Sequence, residues 1–348
     1  HRLKLAGTIS GSARSRSDRE SWSVQLDLER ALGPGVSGGQ HTLFEQLRSS
    51  MSNKPKLRLG GDKWWEVRYA NSPGIDAGGL FRDSISRLAE ELCSPRQNLF
   101  VAIVESGGES ADRQAGETWA PNPECTDWPR FEFLGHIMAA CVRSWSAEEG
   151  GVSGSSSPEA LAVTLAGLVW RRLVGRPVTW GDYAAMDPAK AARYEEVERN
   201  QFAVAPEGLS AEQFEDMGLT FEGLQPGGEY RPVTLENRVE FVRLSRLSLV
   251  HSMDRQIDAL RTGMVEGGVP VQALGLMTPE ELEIRVAGAP LIDLDTMKRD
   301  TTVSGSTGQQ EIFWESVQGM SMSQRSLLLR FATGRSRLPA RVRVELES

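Results

Sequence analysis

Cysteine, histidine and long apolar runs are all scarce in this chain of 348 residues, and each scarcity removes a class of function. The three cysteines, Cys93, Cys125 and Cys141, stand at irregular spacing with no Cys-x-x-Cys pair. That excludes a disulfide framework and a zinc module, and it fits a reducing compartment. The four histidines, His1, His41, His136 and His251, show no metal-ligand spacing, so neither a metal nor another cofactor is expected. No apolar stretch approaches the roughly 20 residues of a membrane-spanning helix, and the first segment lacks the apolar core of a signal peptide. A cytoplasmic or nuclear protein without membrane contact is therefore expected. The chain begins at His1 instead of Met, the mark of a processed protein or of a piece of a longer one. Basic charge is short as well: 39 Lys and Arg face 47 Asp and Glu, a net charge of −8 that argues against nucleic-acid binding and suits a basic protein partner.

What is present is enough apolar material, 39% of residues, to bury a core. Residues 1–40, rich in Ser, Gly and Arg, read as a flexible lead-in, with order expected from His41. Leu43, Phe44 and Leu47 recur at helical spacing, and Trp64 to Tyr69 alternates as a strand does. Glu105 to Trp128 and Ser144 to Pro158 read as surface loops, while Phe131 to Trp145 and Leu161 to Leu173 read as buried helices. A long helix is expected from about Thr234 to Gly263, with Phe241, Leu244, Leu247, Val250, Met253, Ile257 and Leu260 on one face. Thr278-Pro279-Glu280-Glu281 is a capping box with proline at the first helical position, and Gly288 is its stop; Ser321 to Gln324 is a second box. Helical signals outnumber strand signals, so the expected fold is α+β, mostly helical, with no internal repeat.

Several motifs reduce to structure. Gly33-x-Gly35-x-x-Gly38 lacks the strand and capped helix of a dinucleotide site and reads as a loop. His136 and Cys141, five residues apart on one helix, point about 140° apart and cannot act as base and nucleophile. Asp293 and Asp295 flank a helix start, where carboxylates favour the positive end of the dipole. In Asn71 to Asp83, Asp76 can cap a helix, Gly78 and Gly79 can permit close packing, and Arg82 can pair with a distant carboxylate.

The same segment, Asp76-x-Gly78-Gly79-x-x-Arg82-Asp83, resembles a signature near the start of HECT-type ubiquitin ligase domains. Further counterparts follow in the family's order: Phe131 to Ala140, Leu168 to Trp180 with Asp187, Pro232 to Val242, Glu280 to Gly288 with Ile292-Asp293, Phe313-Trp314, and Phe331 to Pro339. Departures are conservative: the Gly-Glu before Asp76 is missing, Asp83 replaces a glutamate, and Ala287 stands where cysteine is frequent.

The resemblance implies a bilobal domain. A large helical N-lobe would span 41–300, with a small conjugating-enzyme-binding subdomain at about 194–283. A hinge at 301–310 and the start of a truncated C-lobe at 311–348 would follow. It implies a ubiquitin-conjugating enzyme, ubiquitin and a protein substrate as partners. The family's catalytic cysteine takes ubiquitin as a thioester and passes it to a lysine. No cysteine follows Cys141 here, so that nucleophile is expected beyond Ser348 and the chain is expected to dock without transferring. The alternative is a non-catalytic interaction protein of the same fold. Leu274, Leu276 and Met277, an apolar stretch ahead of the capping box, are the candidate contact, with a hydrophobic staple at the helix entry as the competing reading.

Overall fold

The computed structural model describes residues 23–32, 42–51, 64–70, 79–94, 97–103, 118–149, 159–288, 294–321, 324–325, 327–329 and 342–345. Two compact units divide the chain: a larger one of His1–Ala102, Ser110–Arg176 and Gln256–Ser348, and a smaller one of Ile103–Glu109 and Pro177–Arg255.

Order starts earlier than His41. Strand β1 (Ser23–Leu26) buries Val24 and Leu26, and helix α1 (Leu28–Leu32) follows. Two alternating apolar residues suffice because β1 pairs in parallel with β2 (Glu66–Tyr69), which buries Val67 and Tyr69 on the same period of two. Between them, α2 (Leu43–Met51) turns Leu43, Phe44, Leu47 and Met51 inward. Its first amides are capped from a distance: the Glu91 carboxylate of α3 (Gly79–Leu92) accepts from Leu43 N at 2.7 Å and Phe44 N at 2.9 Å. Trp64, Trp65 and Phe81 meet edge to face with centroids 5.1–5.8 Å apart, each contributing roughly 2 kcal/mol through burial.

Strands β3 (Phe100–Ile103) and β4 (Thr118–Pro121) pair, so part of the expected surface loop is ordered. Helix α4 (Trp128–Glu149) is the spine of the larger unit and runs past Ser144, where a loop was expected. Every side chain from Ile137 to Val142 is buried, as an all-round apolar helix requires. The helix expected over Leu161–Leu173 is half extended. Leu165 bridges Trp119, Leu161 N donates to the Val286 carbonyl, and only α5 (Gly167–Leu173) is helical. Periodicity does not separate a short buried strand from a buried helix, and here sheet-like partners win.

The smaller unit holds α6 (Trp180–Met186), α7 (Pro188–Arg199), α8 (Ala211–Glu215), a 3-10 turn (Gly228–Tyr230) and α9 (Arg238–Val250). Thr179 with Asp182 and Ser210 with Gln213 form capping boxes for α6 and α8, and Asp187 caps α7 ahead of Pro188. Its own core joins Val197, Phe214, Phe221, Val233, Phe241 and Val242. The single helix expected over 234–263 is two, because the chain turns at His251–Met253 before α10 (Asp254–Glu266). His251 Nδ1 lies 2.8 Å from Asp254 Oδ2 across that turn, and Leu247, assigned to the buried face, is exposed.

Back in the larger unit, α10 crosses α4 at glycines. Gly263 lies against the Glu132 backbone and Gly135 against that of Leu260. Gln256 Nε2 reaches the carbonyls of Asn122, Pro123 and Cys125 at 2.9–3.1 Å, pinning the turn before α4. Then come α11 (Val271–Leu276), α12 (Pro279–Ala287) and α13 (Leu294–Asp300). The Thr278 box is present, with Thr278 and Glu281 capping each other, and Gly288 ends α12 at φ 78°. The expected hinge residues fall in β5 (Thr301–Ser304) and the opening of α14 (Thr307–Gln318). Strand β5 pairs in parallel with β6 (Val342–Glu345), and Met297, Val317 and Leu329 form a local core. Among the described residues no helix is long and apolar enough to cross a membrane, and no group of His, Cys, Asp and Glu could hold a metal.

Candidate partner-docking surface

Asp76 and Gly78 lie outside the described residues. Gly79 opens α3 with nothing within 4 Å of where a Cβ would stand, so close packing is not its role. Arg82, one turn on, donates Nε to Glu159 Oε1 at 3.0 Å, and that carboxylate is only 6% exposed. Next to it, Tyr69 and Arg87 both donate to Asp83 Oδ2 at 2.7 Å. Burial first, and that carboxylate second, push the Tyr69 hydroxyl well above its ordinary range. These polar residues fasten α3 to its surroundings.

Of the three apolar contact candidates, only Leu276 reaches solvent, at 60% exposure; Leu274 and Met277 are buried. Met277 precedes the Thr278 cap and Leu282 holds the fourth position of α12, and both are buried, the pattern of a hydrophobic staple. All three residues belong to the larger unit, outside the compact unit that ends at Arg255.

The thiols divide by environment. Cys141 is fully buried on α4, and desolvation pushes its thiol up to about 12. Cys125 is buried and Cys93 is half-buried. His136 faces Glu266 at 3.4 Å.

The smaller unit exposes large apolar side chains of its own: Val204 at 94%, Tyr230 at 85%, and Met217, Val239 and Leu247 less so. Its interior is closed by charge and aromatics together. Arg246 reaches Glu198 through both terminal nitrogens, at 3.1 and 2.6 Å, and lies over the Trp180 ring, while Arg231 grips Glu240 and lies 4.1 Å over Phe221. Between the two guanidinium groups, Trp180, Tyr194, Phe241 and Phe221 touch in sequence. The smaller unit thus has a core of its own and apolar residues facing solvent.

Residues 86–346 match the model of the HECT-domain (ubiquitin-transferase) family. The chain belongs to the HECT family. It is 30% identical to the E3 ubiquitin-protein ligase HERC2 of Mus musculus and of Homo sapiens over 91% of its own length. It is 28% identical to an E3 ubiquitin-protein ligase TOM1-like of Neurospora crassa over 88%. It spans only 6–7% of the length of those relatives. The mostly helical α+β architecture is that expected of a HECT lobe. Two features of this HECT chain escaped sequence reasoning: Glu159 as the partner of Arg82, 77 residues away, and Glu91 as the cap of α2, for which no local signal exists.

Proposed function

We propose that this HECT chain docks a ubiquitin-conjugating enzyme and forms no ubiquitin thioester on the cysteines it carries. Docking is supported by the family match over 86–346 together with a smaller unit that has its own core and exposed apolar residues. Leu276 is retained as a contact candidate. For Cys141 and Cys125 the absence of transfer is supported by chemistry: attack on an acyl thioester needs an accessible thiolate, whereas burial holds Cys141 protonated and encloses Cys125; Cys93 is half-buried, and its role is decided by the transfer test below. In this reading ubiquitin and a substrate lysine are the further partners, and the reaction belongs to a reducing compartment, cytoplasm or nucleus.

Titration against a panel of conjugating enzymes tests docking, and silence from the whole panel would refute it. Transfer is tested separately with a ubiquitin-charged conjugating enzyme. The expected outcome is no thiol-reducible adduct on this chain; an adduct that disappears on Cys93→Ser, Cys125→Ser or Cys141→Ser overturns the proposal.

A further inference from the structure

The chain's cations are unevenly chosen: 33 are arginines and 6 are lysines. Lys4, Lys54, Lys56 and Lys63 precede Trp64, where 7 arginines accompany them. From Trp64 to Ser348 there are 26 arginines and two lysines, Lys190 and Lys298. A uniform preference for arginine would act on both stretches alike, so the scarcity of lysine belongs to Trp64–Ser348 in particular.

Geometry accounts for some of these arginines. Arg246 and Arg231 fork onto carboxylates and lie over rings, Arg82 reaches Glu159, and the buried Arg143 donates to the Gly267 carbonyl at 2.9 Å. Lysine has neither the fork nor the planar face. Geometry does not account for Arg68 on β2, Arg176 after α5, Arg193 on α7 or Arg255 on α10. All four are exposed, and none makes an ion pair or ring contact among the described residues. Lysine carries the same charge and nearly the same helix propensity, so solubility and local structure leave these positions open to it. What separates the two side chains there is reactivity. A lysine Nζ can lose a proton and become a nucleophile, whereas the guanidinium group stays protonated.

Ubiquitin thioesters are attacked by such amines. The unprotonated Nζ adds to the thioester carbonyl carbon, a C–N amide bond forms, the C–S bond breaks, and the thiol leaves with a proton from the amine. The two remaining lysines differ in how free they are. Lys298 is exposed but lays its ammonium group over the Trp314 ring, 5.9 Å from the centroid. Lys190 is exposed on α7, and its side chain makes no ion pair or ring contact among the described residues.

We propose that Trp64–Ser348 is guarded against taking up ubiquitin itself by carrying its charge on arginine, and that Lys190 is the amine left open to acylation. This rests on the docking reading above, which brings a ubiquitin thioester to the chain. The test uses a ubiquitin-charged conjugating enzyme that binds the chain in titration and discharges onto free lysine in solution. The parent is compared with Lys190→Arg and with a variant carrying Arg68→Lys, Arg176→Lys, Arg193→Lys and Arg255→Lys. The same four changes made singly guard against misfolding, and circular dichroism checks the fold of each. Modified lysines are located by mass spectrometry.

Within Trp64–Ser348 the parent should take ubiquitin chiefly at Lys190, and Lys190→Arg should lose most of it. The four-lysine variant, with six exposed amines in place of two, should be modified about threefold faster, at the restored positions. A four-lysine variant modified no faster than the parent overturns the guard. Undiminished modification of Trp64–Ser348 in Lys190→Arg overturns the acceptor site. Both results leave docking intact, because binding is read separately; a chain that binds no conjugating enzyme overturns the docking reading and the inference with it.

Discussion

Gly263→Ala is the sharpest probe of the larger unit. A Cβ at Gly263 would stand 1.9 Å from the Glu132 carbonyl oxygen and 2.7 Å from its carbon, both backbone atoms of α4. Neither can rotate away, so α4 and α10 must separate by roughly an ångström or more, in a core packed to crystal-like density. The facing Gly135 meets the same limit, 2.1 Å from the Leu260 oxygen, so the strain is not relieved by sliding α10 along α4. Overpacking of this kind costs about 1–3 kcal/mol, and rigid backbone on both sides places it at the upper end. Alanine returns about 1 kcal/mol of helix propensity, leaving a net loss of about 2 kcal/mol. Gly275→Ala is the matched control: it is also helical, nothing lies within 4 Å of its Cβ position, and it should gain a few tenths to 1 kcal/mol. Urea unfolding followed by tryptophan fluorescence reads both, with the slope expected to stay constant while the midpoints move in opposite directions. A Gly263→Ala chain as stable as its parent would refute the close crossing of α4 and α10.

Three further outcomes are expected. Cys141 should resist alkylation in the native state at mildly alkaline pH and react on unfolding. Because its folded thiol is raised from 9 to about 12, the stability it contributes is fully present below pH 9 and is lost as pH rises from 9 to 12, a slope that Cys141→Ala should remove in pH-dependent denaturation. Arg82→Met removes the Arg82 Nε–Glu159 Oε1 pair and should be destabilising by about 1–3 kcal/mol, less than for a fully buried pair because Arg82 is 29% exposed. Gln256→Leu removes the Nε2 donor from the Pro123 and Cys125 carbonyls, while Asn122 O still accepts from Cys125 N, and should cost about 1–3 kcal/mol in the same assay.

Local chemistry was the legible part of this fold. The Thr278 capping box, proline and terminal Gly288 predict α12 because every partner lies within one turn, and the run around Ile137 to Val142 predicts the buried spine because no face of it is polar. Long-range partnership was hidden. The spacing from Phe241 to Leu260 fits one helix, yet the His251–Asp254 pair ends one helix and begins another. Val24 and Leu26 look unremarkable among Ser and Arg until β2 supplies the other strand. The docking candidates divided in the same way: Leu274-Gly275-Leu276-Met277 reads as one apolar patch, whereas Leu274 inside α11 and Met277 just past its end turn inward and leave Leu276 outside.

The distant capping of α2 by Glu91, together with the Arg82–Glu159 pair, bears on where this protein can be cut. The family match opens at residue 86, inside α3, which begins at Gly79. A fragment trimmed to that limit would discard Phe81 and Arg82, remove the Arg82 pair of the buried Glu159 carboxylate, and free Glu91 from the helix it caps. The boundary of the family match is therefore not the boundary at which the chain holds together, and a soluble fragment should keep everything from Ser23 onward.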